Sequence, residues 1–63
     1  MKVWILTRTE SSIAEVLAVW AHRPIGIELA EWVPPEVIDA LLLLQAISDG
    51  DYLFDLVVAE IIN

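Results

Sequence analysis

His22 is the only histidine of the chain, and Arg23 follows it directly. An imidazole can move a proton in a reaction only where a nucleophile or a second acid–base group stands with it. No cysteine or second histidine is present, and no serine completes such a set by its spacing, so His22 is expected to be a surface or edge residue. Asp49, Gly50 and Asp51, with Asp55 beyond, supply carboxylates at short intervals, the raw material of a divalent-cation site. A calcium loop needs a ligand series closed by a later glutamate, and that spacing is missing. A solvated turn is the expected role. Trp4, Trp20 and Trp32 could offer stacking surfaces to a ligand, but in so short a chain rings of this size are needed as core, and at least two are expected there. Gly26 and Gly50 are isolated and neither is followed by lysine, which excludes a glycine-rich phosphate loop. With no nucleophile–base pair and no metal-ligand set, the chain is expected not to be an enzyme and to need no cofactor.

The 63 residues allow one small domain, spanning 1–63, near the lower limit at which a single hydrophobic core sustains itself. The absence of cysteine removes disulfides and thiolate metal sites as supports and leaves oligomerisation. Hydrophobic residues make up 59% of the chain, which argues for folding despite the charge. Three Lys and Arg against ten Asp and Glu give a net charge of −7, so a phosphate backbone would be repelled and no direct nucleic-acid binding is expected. The longest unbroken apolar run, Val16 to Ala21, is far short of the roughly 20 residues of a spanning helix. The N-terminal run Val3 to Leu6 is too short for the core of a secretory signal. A soluble, cytoplasmic protein without a membrane partner is the expectation.

Val3 to Thr7 is a β-branched and aromatic strand, closed by a polar turn over Arg8 to Ser12. Ile13 to His22 is open between two states. Ser12 and Glu15 have capping-box spacing, with Ile13, Val16, Leu17 and Trp20 on one helical face; yet Val16, Ala18 and Trp20 alternate with Leu17 and Val19 as in a strand. Pro24 opens a short helix reaching about Val33, with Ile25, Leu29 and Trp32 at helical spacing. Pro34 and Pro35 end it, and Pro35 starts a second helix extending to about Ile47, with Glu36 and Asp39 near its positive end. Ser48 to Asp51 is a stop and turn, and Tyr52 to Ile62 a closing strand, with a capped helix from Asp51 as the rival reading.

Taken together, the strand Lys2-Val3-Trp4-Ile5-Leu6-Thr7-Arg8, the segment Val19-Trp20-Ala21-His22-Arg23-Pro24, the helical Glu28-Leu29-Ala30 and the strand Tyr52-Leu53-Phe54-Asp55-Leu56 resemble small uncharacterised proteins encoded by phages and bacteria. The resemblance spans the chain. It implies an α+β fold, a small antiparallel three-stranded sheet with two helices in the order β-β-α-α-β, and so favours a strand over Ile13 to His22. It implies no activity. The helices of such proteins usually carry polar residues where Ile27, Leu42 and Leu43 stand here, so these three mark either a natural contact or an engineered surface.

At about 100° per residue, Ile25, Leu29, Trp32 and Val33 share one arc of the first helix and Ile27 lies opposite, beside Glu31. In the second helix Val37, Ile38, Leu41 and Leu44 form the buried arc. Glu36, Asp39, Leu43 and Ala46 lie on the far side, with Leu42 at its edge. Each of the three aliphatics is worth about 1.5–3 kcal/mol when moved from water into a contact, enough in a symmetric pair to offset much of the cost of association. The expected function is therefore a non-enzymatic module that self-associates into a homo-oligomer. Its expected interface is Ile27, Glu31, Asp39, Leu42, Leu43 and Ala46. The alternative is an acidic phage-type inhibitor that presents Glu28, Glu31, Glu36 and Asp39, in place of phosphates, to a basic site on a host protein. The last strand, apolar on both faces, is a further candidate for pairing between subunits if it lies at a sheet edge.

Overall fold

A computed structural model describes residues 1–62. Nine residues from Lys2, rich in β-branched and aromatic side chains, form strand β1 (Lys2–Glu10), which turns directly into β2 (Ile13–Trp20). The polar stretch expected as a turn contributes Arg8 to Glu10 to the strand instead, because each finds a cross-strand partner: Arg8 opposite Glu15, Thr9 opposite Ala14, Glu10 opposite Ile13. The loop is only Ser11 and Ser12, both left-handed at φ 50° and 70°. Two positive-φ residues are what a tight hairpin of matching twist requires, and serine is an unfavourable choice for them.

Ile13 to Trp20 is thus a strand, and the helical spacing of Ile13, Val16, Leu17 and Trp20 is overruled by pairing to β1 along its length. The register slips between Leu6 and Thr7, so that Ala18 and Val16 are the partners and Leu17 is the extra residue of a bulge. This puts Leu17 against the core beside Trp20, although strict alternation would place them on opposite faces.

Helix α1 (Gly26–Leu29) is a single turn, shorter than the expected span to Val33 and starting two residues after Pro24. The chain then tightens through amides of Trp32 and Val33 donating to the Leu29 carbonyl at 2.9 and 3.1 Å. Helix α2 (Pro35–Leu42) begins at Pro35 as expected but stops five residues before Ile47. The reason is a C-terminal reversal in which the Leu44 amide donates to the Leu41 carbonyl at 2.9 Å and the Gln45 amide to Ala40 at 3.0 Å, with Leu44 left-handed at φ 58°. That pattern normally has glycine at the left-handed position, so a leucine there gives no local signal.

The early stop frees Ile47–Asp49 to become strand β3, which pairs with β4 (Tyr52–Glu60) around the two-residue loop Gly50–Asp51. Gly50, at φ 62°, supplies the positive angle at the first loop position. The sheet therefore has four strands rather than three, in the order β2-β1-β4-β3, every pair antiparallel, and the chain order is β-β-α-α-β-β. The expected α+β class with two helices stands. β4 has β3 beside it only over residues 52–54; from Asp55 to Glu60 it has β1 on one side and no strand of the described residues on the other, so the expected sheet edge holds for that stretch.

β2 and β3 lie at opposite edges, so the helical segment between them crosses one face of the sheet. There Leu29, Val33, Val37 and Leu41 meet Leu6, Phe54 and Leu56 in the core, with Trp4, Trp20, Ile38, Leu42 and Ile47 packed around it. No polar residue is buried among the described residues, so the core is held by apolar burial alone.

Candidate functional site

Positions that looked chemically capable are satisfied locally. The His22 ring reaches the Glu28 carboxylate, Nε2 lying 2.9 Å from Oε2. Glu28 also accepts the Ile25 amide at 3.1 Å, closing the first turn of α1 from its third position. That backbone bond first, and the His22 bond second, hold the Glu28 carboxyl below its ordinary value. Arg23 donates to the Leu42 carbonyl at the C-terminal end of α2, where the helix dipole favours a cation. His22, Arg23 and Glu28 therefore pin the crossover segment to itself.

The acidic turn divides. Asp49 ends β3, Gly50 and Asp51 form the loop, and Asp55 lies within β4. Among the described residues no group of His, Asp or Glu is arranged to hold a metal ion, and no helix is long and apolar enough to cross a membrane. A shallow cleft beside the first hairpin is lined by Arg8, Glu10, Ser11, Ile13 and Glu15. Its one cation is already engaged: Arg8 pairs with Glu15 at 3.1 Å and stacks over the Tyr52 ring at 4.8 Å. Trp4 and Trp20 face each other across β1 and β2 and pack on the core, whereas Trp32 is 46% exposed.

The six residues expected to form an interface are placed unequally. Ile27 (75% exposed) and Leu43 (69%) are open to solvent, as are Glu31 and Asp39. Asp39 and Leu43 lie one turn apart on the outer side of α2 and its C-cap. Leu42 does not belong with them: it is half-buried and packs against the core. Ala46 is exposed but lies beyond the helix end, in the connection to β3, so it has no place on a helical face. The arc drawn for the first helix also loosens, because α1 is one turn long; Ile25 is 60% exposed while Leu29 and Val33 are buried.

A second apolar surface lies on the sheet. Since Leu6, Phe54 and Leu56 face the helices, alternation turns Val3, Ile5, Thr7 and Thr9 of β1 to the other side, with Leu53, Asp55, Val57 and Ala59 of β4. Val16 and Val19 of β2 join them by register. No helix covers this side, since both helices pack on the face that carries Leu6. Val19, Ile5 and Val57 stand in one cross-strand row, all β-branched. The signal for this face was present in Val3 to Leu6, where both alternations are apolar. Comparison with protein-family models, with curated proteins and with solved structures finds no match to the chain.

Proposed function

We propose that the chain is a non-enzymatic interaction module that associates with copies of itself through surface hydrophobic contact. The observation that carries this reading is the contrast between a closed, wholly apolar core and the large aliphatic side chains left outside it, Ile27 and Leu43 on the helix side and Val16, Val19 and Val57 on the sheet side. Scattered exposed aliphatics are ordinary on a protein surface; a contiguous group of them is the mark of a contact. Such a small core also gains from a second copy, since association removes further apolar area from water without lengthening the chain.

Sedimentation velocity across a hundredfold range of concentration tests the reading. The expected result is a mass that rises from one chain toward two or more. A single-chain mass at every concentration rejects it.

A further inference from the structure

We infer that two copies pair through the open faces of their sheets, an inference that rests on the self-association reading and names the surface it uses. The row Val19, Ile5 and Val57 is the centre of the contact, flanked by Val16 on β2 and Ala59 on β4. On this face Val19 is 56% exposed and Val16 59%, both on the edge strand β2, and Val57 41%, whereas Ile5 and Ala59 are half-buried and Val3 at the end of β1 is buried.

A second copy is the occupant because of charge and area. Every charged side chain in the strands falls on the helix side or at the strand ends, apart from Asp55. A chain of net charge −7 can thus meet a like-charged copy through the one broad surface almost free of carboxylates. Face-to-face packing sends Glu31, Glu36 and Asp39 of both copies to the outside, on the order of 30 Å apart at about 10 Å per layer, beyond the screening length at physiological salt. Asp55 stands in the adjacent row with Thr7 and Val16, so it is the one carboxylate that the contact must accommodate. At about 3.3 Å per residue and about 4.8 Å between strands, the three long strands project roughly 400 Å², and side-chain relief carries this toward the roughly 600 Å² per partner of the smaller specific interfaces. The result is a layered α-β-β-α dimer, its two sheets packed as in a sandwich.

Val19→Lys, with Val19→Thr/Val57→Thr as a gentler pair that keeps strand preference, tests the surface in the full chain against Ile27→Glu/Leu43→Glu, with far-UV dichroism confirming the fold of each variant. Sedimentation of the wild type should show the dimer. Either sheet-face variant should raise its dissociation constant at least tenfold, and the helix-side variant should leave it within about twofold. In the wild type, a soluble paramagnetic agent should broaden the methyl signals of Val16, Val19 and Val57 less at high protein concentration than at low. A dimer weakened only by Ile27→Glu/Leu43→Glu, with these methyls equally accessible at both concentrations, overturns the sheet-face pairing and leaves self-association standing. A wild type that stays a single chain throughout overturns both and gives the face to an occupant of another kind.

Discussion

Glu28 shows how one side chain can hold a local structure. Its carboxylate accepts the Ile25 amide and meets His22, and both interactions favour the charged form. A carboxyl whose folded value lies below its ordinary 4.5 adds stability above that value and loses it as the pH falls through the folded one. Glu28→Gln should therefore lower the urea midpoint at pH 7, and the gap to wild type should close as the pH falls below 4.5, read by tryptophan fluorescence. An equal gap at pH 7 and pH 3 would show that the carboxylate charge contributes nothing. At this scale the sequence was legible only for single residues: the Ser12 and Glu15 spacing suggested a cap that does not exist, while the real one, from Glu28, uses the backbone of Ile25 rather than a capping side chain.

Element by element, local patterns succeeded where the backbone signal is steric and failed where pairing decides. The two prolines fixed the start of α2; Gly50 marked a turn, but one expected to follow a helix, whereas it closes a hairpin between β3 and β4. Ser11 and Ser12 mark the first hairpin badly, since neither favours positive φ. Replacing them with Asn-Gly supplies residues suited to the same loop and should raise stability by about 0.5–1 kcal/mol, with the strand register unchanged. Equilibrium denaturation with amide exchange over Glu10 to Ile13 checks it; a lower midpoint would mean that the serine side chains support the loop. The end of α2 was illegible for a related reason: the left-handed reversal falls on Leu44, and it is that stop which allows β3 and the fourth strand.

For the whole molecule, the two short helices cover Leu6, Phe54 and Leu56 but leave apolar side chains outside on both sides of the sheet, Val16, Val19 and Val57 on one and Ile13 and Val58 on the other. If association completes the fold, stability becomes concentration-dependent, because the bound state is favoured by mass action. Calorimetry should then show the unfolding temperature rising by about 3–6 °C per tenfold increase in concentration, given the entropy of unfolding of so small a domain. A temperature independent of concentration would mark each chain as self-sufficient. The sequence by itself determined the acidic charge, the first strand and the proline-defined start of α2, because these rest on composition and on the sterics of a few residues. Only the tertiary structure decided that Ile13–Trp20 is a strand, that β4 lies between β1 and β3 at Leu53 and Phe54, that Leu42 packs on the core, and that Val16, Val19 and Val57 share one face of the sheet. Those outcomes depend on which segments lie side by side, and a side chain's burial is set by neighbours distant in the chain.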